Sequence, residues 1–141
     1  MTSTVTALIE AFLRKESVIP IVPKILIVER EYLVAMEAER ILSDAMTCTT
    51  RIATPHDYLL ALGEDGYDIL VIDVDLLRDE LVEILRDRQR NGTRIVVTTL
   101  TKGYGDRLPQ LSGLAFVTKP FLDEELAFAV GLSQPSGQLD A

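Results

Sequence analysis

The sequence predicts an α/β protein built on a five-stranded, doubly wound parallel sheet of (βα)5 order, with an extra helix at its amino terminus. Two observations carry this prediction. Five short runs rich in branched apolar residues alternate along the chain with stretches whose apolar residues recur at helical spacing. Apolar runs without polar interruptions are typical of parallel strands that helices cover on both faces.

The five strands are expected at residues 24–28, 47–53, 69–72, 94–99 and 114–118. Between and after them, helical stripes run over residues 34–45, 54–62, 77–90 and 122–130. The second of these begins at Thr54-Pro55-His56-Asp57, which offers a cap, a proline for the first turn and an acid three residues after the cap. Its residues Leu59 and Leu62 are expected to face the core, as are Ile84 and Leu122 in the later helices.

The region 101–113 departs from this alternation. Glycine and proline recur there at Gly103, Gly105, Pro109 and Gly113. Because both residue types weaken a helix interior, a helix in this region must be short or loose.

Two flanking segments complete the predicted domain organisation, which is an amino-terminal addition at 1–23, a main domain at 24–132 and a frayed polar tail at 133–141. The apolar residues of the first segment fall on one face of a helix: Val5, Leu8, Ile9, Phe12 and Leu13. A helix of about 12 residues is not stable alone in water. Its apolar face must therefore dock on its own domain or mediate a homodimer.

Composition narrows the class of function. The chain has 141 residues and a net charge of -8, which argues against direct binding of nucleic acid. Cys48 is the only cysteine, so no intrachain disulfide and no cysteine-based metal site is expected. No apolar stretch is long enough to span a membrane, and the amino terminus does not read as a signal peptide. We therefore expect a cytoplasmic protein.

Polar residues follow four of the predicted strands. They are Glu29 and Arg30 after the first strand, Asp73 after the third, Thr99 after the fourth and Lys119 after the fifth. In open α/β sheets the carboxyl ends of the strands form the ligand-binding edge. Two acids, a hydroxyl and an ammonium at one edge suit phosphoryl chemistry, because a carboxylate attacks phosphorus and cations stabilise the charge that develops.

At this point the sequence resembles the receiver domain of two-component response regulators, over about residues 24–132. The pieces that carry the resemblance are KILIVERE, DILVIDVDL, VVTT and FVTKPF, in that order. The segment around Gly103-Tyr104-Gly105 also resembles a receiver subgroup whose fourth strand runs into an FATGY-type sequence. The resemblance implies the flavodoxin-like receiver architecture.

The resemblance also assigns roles by position. It implies that Asp73 is the phosphoacceptor, Thr99 the hydroxyl that contacts the phosphoryl group and Lys119 the conserved strand-5 lysine of receivers. It further implies that Glu29, Asp73 and the backbone carbonyl of Asp75 bind Mg²⁺. Phe116 falls where receivers carry an aromatic switch residue, although plain core packing is the favoured explanation for a phenylalanine there.

Arg30 is the main departure from the receiver pattern. Receivers usually carry a second acid at this position, and a guanidinium repels Mg²⁺. Arg30 either points to solvent or pairs with Glu29 or Asp73 and stands in for the metal. The carboxylate of Asp75 restores part of the negative charge that the substitution removes.

The resemblance implies a single-domain response regulator, not an enzyme in its own right, that takes a phosphoryl group from a histidine kinase or phosphotransfer protein and signals by contact with a downstream protein. The alternative is a pseudo-receiver, an interaction module that binds no Mg²⁺ and is not phosphorylated because of Arg30. A cofactor-binding enzyme on the same architecture is disfavoured, since no glycine-rich phosphate loop follows the first strand.

Overall fold

The computed structural model describes residues 22–64, 66–101 and 114–131. Its elements, in chain order, are strand β1 (Lys24–Val28), helix α1 (Tyr32–Ala45), β2 (Thr49–Ala53), α2 (Tyr58–Gly63), β3 (Ile69–Asp73), a short 3-10 helix (Val74–Leu76), α3 (Asp79–Arg90), β4 (Arg94–Thr99), β5 (Ala115–Thr118) and α4 (Asp123–Ala129).

The five strands form one parallel sheet in the order β2-β1-β3-β4-β5. After β2 the chain crosses to the other side of β1, so the direction in which strands are added reverses between β1 and β3. This is the topological switch point at which doubly wound sheets bind ligands. The predicted fold class is confirmed for the sheet and for the helices in the described residues.

The core lies on both faces of the sheet because successive side chains of a strand point to opposite faces. On one face, Leu26 and Leu70 belong to a buried cluster with residues of α2 and α3. On the other face, Ile25 and Ile69 belong to a cluster with residues of α1 and α4. Each central strand is therefore buried on both sides, which explains its unbroken apolar sequence.

Three predictions about core residues were wrong, because Leu59, Ile84 and Leu122 are exposed. Helix α2 begins only at Tyr58, after a turn in which the Asp57 carboxylate accepts hydrogen bonds from the Thr54 backbone N–H and hydroxyl. That late start sets the phase of α2, so that Ala61 and Leu62 face the core and Leu59 does not. Leu122 lies before the first turn of α4 and so escapes the helical stripe.

Several sequence predictions fall outside the described residues. They concern the amino-terminal helix within residues 1–21, most of the loose region 101–113 and the tail at 133–141. The domain boundary predicted near residue 24 stays a prediction, although β1 does begin at Lys24.

Candidate functional site

Four side chains meet at the carboxyl edge of the sheet, next to the switch point. They follow or end four strands: Glu29 after β1, Asp73 at the end of β3, Thr98 in β4 and Lys119 after β5. Asp73 is the direct register partner of Thr98, and Val28 pairs with Ile72, so these strands end at the same level. The parallel register therefore brings together residues that are up to 90 positions apart in the sequence.

Asp73 is buried, with 1% of its surface exposed. It caps the 3-10 helix that turns the chain away from the sheet, and its Oδ1 accepts a hydrogen bond of 3.0 Å from the Asp75 backbone N–H. Its Oδ2 accepts a hydrogen bond of 2.9 Å from Arg30 Nε and lies 3.5 Å from Lys119 Nζ. Both carboxylate oxygens thus have partners, as a buried charge requires.

Glu29 and Lys119 form a second, deeper ion pair. Lys119 Nζ donates to both carboxylate oxygens of Glu29, at 2.9 and 3.1 Å, and the Thr98 hydroxyl donates to Oε1 at 3.2 Å. Neither side chain of the pair is more than 8% exposed. Lys119 also donates its backbone N–H to the Thr99 carbonyl, which fixes the chain after β5 against β4.

Arg30 bridges two acids, Asp73 at the start of the 3-10 helix and Asp75 within it. Its Nε binds Asp73, and its terminal nitrogen donates a hydrogen bond of 2.6 Å to the Asp75 carboxylate. Arg30 and Asp75 are each a little under half exposed, so this part of the network faces solvent. Of the two interpretations that the sequence left open, the structure shows the one in which Arg30 pairs with Asp73.

The environment shifts the pKa values of the two buried acids in opposite directions. Burial raises the pKa of Glu29 to about 7, despite the nearby Lys119 ammonium, and the negative charge of Asp73 adds to the rise. Burial also acts to raise the pKa of Asp73, but hydrogen bonds from Arg30 and from the Asp75 backbone outweigh it and hold the pKa below its usual value. Asp73 is therefore the acid that stays ionised at neutral pH.

The structure does not bring the Thr99 hydroxyl to these acids. Thr99 is buried, and its hydroxyl exchanges hydrogen bonds with the backbone N–H and carbonyl of Thr101. Thr98, which the sequence analysis did not single out, supplies the hydroxyl that contacts the cluster. The two threonines point to opposite faces of β4, and only the register with Asp73 shows which one shares its face. The role assigned to Thr99 stays a prediction.

Phe116 lies in β5 opposite Val97 and packs, partly buried, against the cluster on the α2 and α3 face. Its position agrees with the core-packing interpretation, and its assignment as a switch residue stays a prediction.

The side chains at this edge do not fit a divalent cation as they stand. Mg²⁺ needs carboxylate oxygens with free lone pairs beside open space for water. Here the Arg30 guanidinium binds both Asp73 and Asp75, while Lys119 binds both oxygens of Glu29. Across residues 22–64, 66–101 and 114–131, no group of three or more His, Cys, Asp or Glu side chains is arranged to hold a metal ion.

A groove of about 370 Å³ opens beside this network. Half of its lining residues are charged and half are apolar: Glu29, Arg30, Glu31, Glu37 and Lys119 on the one hand, and Leu33, Val34, Leu100, Pro120 and Phe121 on the other. Leu33 and Leu100 are exposed to solvent.

Comparison with known proteins identifies the fold. No family model and no curated protein sequence matches the chain. Among solved structures, the chemotaxis response regulator CheY4 of Vibrio cholerae is similar with a TM-score of 0.63 and 18% identity, covering 77% of this chain and 96% of that one. A putative response regulator from Chloroflexus aurantiacus is similar with a TM-score of 0.63 and 23% identity, covering 79% of this chain and 96% of that one.

A putative pilus assembly protein, CpaE, from Burkholderia thailandensis is also similar, with a TM-score of 0.60, 23% identity and coverage of 77% and 94%. These neighbours include CheY-like response regulator receiver domains, and the chain has their fold. The predicted resemblance is therefore confirmed at the level of architecture.

Among the helices of the described ranges, none has the length and apolar character needed to cross a bilayer.

Proposed function

We propose that this chain is a receiver-type signalling module that accepts a phosphoryl group on Asp73 and passes the signal on by protein–protein contact. The observation that supports the proposal is the convergence of Lys119 on Asp73 and Glu29, at the carboxyl end of a central strand. The donor would be a histidine kinase or a phosphotransfer protein, and the readout a downstream protein target in the cytoplasm.

The residues at the edge suit this chemistry in defined ways. Asp73 is held as a carboxylate, the form that attacks phosphorus. Attack by a carboxylate oxygen forms an acyl-phosphate bond while the bond from phosphorus to the donor breaks, and the electron pair of that bond leaves with the donor. Lys119 Nζ lies 3.5 Å from Asp73 Oδ2, which supports a role for its ammonium in stabilising the negative charge on the transferred group.

A second candidate function is a pseudo-receiver, an interaction module that keeps the fold without phosphorylation. The observation that favours it is the pairing of Arg30 with Asp73 and Asp75, which occupies both acids with a permanent cation. In this case the groove beside Arg30 would bind its partner whatever the state of Asp73.

Intact-protein mass spectrometry after incubation with acetyl phosphate decides between the two. We expect the wild type to gain the mass of one phosphoryl group and to lose it on treatment with hydroxylamine, which cleaves acyl phosphates. Asp73→Asn should gain none, while the control Asp68→Asn, on the strand's opposite end, should behave as the wild type. A wild type that forms no adduct either with or without Mg²⁺ would reject phosphorylation and leave the pseudo-receiver.

A further inference from the structure

Arg30 does more than remove one acid from the site, because its guanidinium binds both Asp73 and Asp75. We infer that the Arg30 guanidinium takes the place of the divalent cation at this site, so that Asp73 is phosphorylated without a metal ion. This inference rests on the proposed phosphoacceptor function of Asp73 and adds how the charge of the phosphoryl group is balanced.

Two cations converge on one oxygen of Asp73. Arg30 Nε lies 2.9 Å and Lys119 Nζ lies 3.5 Å from Oδ2, and the two cations come from the ends of different strands. A phosphoryl group bonded to this carboxylate would carry its oxygens into the space between the guanidinium and the ammonium. Two cations therefore lie within 3.5 Å of the attacking carboxylate before transfer.

A guanidinium suits this task in a way that an ammonium does not. It is charged at every physiological pH, and its planar fork binds phosphate through two parallel hydrogen bonds. The Arg30 side chain is 44% exposed, so it has room to turn from the carboxylate toward an entering phosphoryl group. Lys119, by contrast, is buried and remains tied to Glu29.

Asp75 acts as a positioning residue for Arg30. Its carboxylate accepts a hydrogen bond of 2.6 Å from the terminal nitrogen, which keeps the guanidinium beside Asp73 rather than extended into solvent. The same contact occupies the second acid of the turn. Arg30 therefore both supplies the positive charge and removes two carboxylates from any metal site.

No metal ion takes part in the proposed phosphoryl transfer. An Asp73 carboxylate oxygen attacks the phosphorus of an acyl phosphate or phosphoramidate donor and forms a P–O bond. The P–O or P–N bond to the donor breaks, and its electron pair leaves with the carboxylate or with the amine, which takes a proton from solvent. Arg30 turns its N–H groups from the Asp73 oxygen to the phosphoryl oxygens.

The experiment compares phosphorylation in excess EDTA with phosphorylation in Mg²⁺, using acetyl phosphate or phosphoramidate as donor and the full chain. Wild type is expected to form the Asp73 adduct at rates within about threefold of each other under the two conditions. Arg30→Gln should lower the rate in EDTA by about 10- to 100-fold, the loss of one charge-assisted hydrogen-bond donor pair. Arg90→Gln, an exposed arginine at the far end of α3, is the matched control.

Thermal unfolding supplies a readout that does not depend on phosphorylation. Mg²⁺ should leave the melting temperature of the wild type unchanged and should raise that of Arg30→Asp, in which the usual acid is restored and the guanidinium removed. Arg30→Lys, which keeps the charge, tests whether the bidentate geometry is required and guards against a variant that fails to fold.

The possible outcomes distinguish the role of Arg30 from the phosphoacceptor function of Asp73. A wild-type adduct that forms only in Mg²⁺ would overturn the role of Arg30 and leave the phosphoacceptor function standing. No adduct under either condition would overturn both. Equal rates in EDTA and Mg²⁺ that persist in Arg30→Gln would show that the metal is dispensable for another reason and would also overturn the role of Arg30.

Discussion

The pKa values of two neighbouring buried acids, Glu29 and Asp73, are shifted in opposite directions. Each is almost completely removed from water, and burial alone favours the neutral form of both. Hydrogen bonds from the Arg30 guanidinium and a backbone N–H outweigh the burial of Asp73. The contacts of Glu29 with Lys119 and a hydroxyl do not outweigh its burial and the negative charge of Asp73. The opposite shifts therefore arise from the balance between burial and the partners of each carboxylate, and not from the number of partners.

These opposite shifts predict a dependence of stability on pH. Because the folded-state pKa of Glu29 is raised from 4.5 to about 7, the folded protein holds a proton that the unfolded chain has released in this interval. The stabilisation from Glu29 is complete below the unfolded pKa and is lost as pH rises through about 7, by at most about 3 kcal/mol. Glu29→Gln should abolish this slope, measured by urea unfolding between about pH 5 and pH 8.

Glu31→Gln is the control for this measurement, because Glu31 is exposed two residues further along the chain. It should leave the slope as in the wild type. The lowered pKa of Asp73 acts in the opposite direction, since its contribution is lost only as pH falls through and below its usual range, outside this interval. An unchanged slope in Glu29→Gln would contradict the assignment to Glu29.

The contacts of individual side chains were the hardest part of the site to predict from the sequence. The sequence placed Asp73, Glu29 and Lys119 at one edge, and the structure brings them within hydrogen-bond or ion-pair distance. It left open where Arg30 points, because a long flexible side chain has many rotamers and only the positions of Asp73 and Asp75 select one. Thr98 was missed because the choice between adjacent threonines depends on strand register.

At the scale of the elements, periodicity predicted each strand and each α-helix in the described residues, but not the short 3-10 helix or the phase of every α-helix. Helix α1 follows its predicted stripe at Ala38, Ile41 and Leu42, which are buried, but not at Ala45, which is exposed. Helix α2 shows the failure, because a turn at Thr54–Asp57 delays its start. Only six residues long, it gives too few apolar positions to fix its phase from the sequence alone.

Two leucines on α1 provide a test of this packing. Leu42 is fully buried against the sheet, while Leu33 is 78% exposed at the groove beside Arg30. Leu42→Ala should lower the free energy of unfolding by about 2–5 kcal/mol, because it removes buried methyl groups and leaves a cavity. Leu33→Ala should change it by less than about 1 kcal/mol.

Chemical denaturation of the two variants under the same conditions measures both values. Since the two substitutions are chemically identical and lie on one helix, helix propensity cancels in the comparison. Similar losses of stability in both variants would contradict the described orientation of α1.

At the scale of the whole molecule, the fold and the location of the site followed from the sequence for one physical reason. A parallel sheet brings the ends of all its strands to one edge, so the residues after each apolar run become neighbours without any knowledge of side-chain contacts. The charges at that edge then determine the chemistry, and three carboxylates face two cations there. What the pattern cannot give is which pairs form, because that depends on distances of a few ångströms.

The remaining question at this scale is what the apolar face predicted for residues 1–23 contacts. Five large apolar residues on a helix of about 12 residues need a partner surface. We expect this face either to dock on its own domain or to mediate a homodimer, and sedimentation of the full chain and of a chain lacking residues 1–20, at several concentrations, decides between them. If the full chain is a dimer that the truncation dissociates, Leu8→Asp on the predicted apolar face should dissociate it too, whereas Glu10→Gln on the predicted polar side should not. A monomer for the full chain would exclude dimerisation through this segment and leave docking on its own domain.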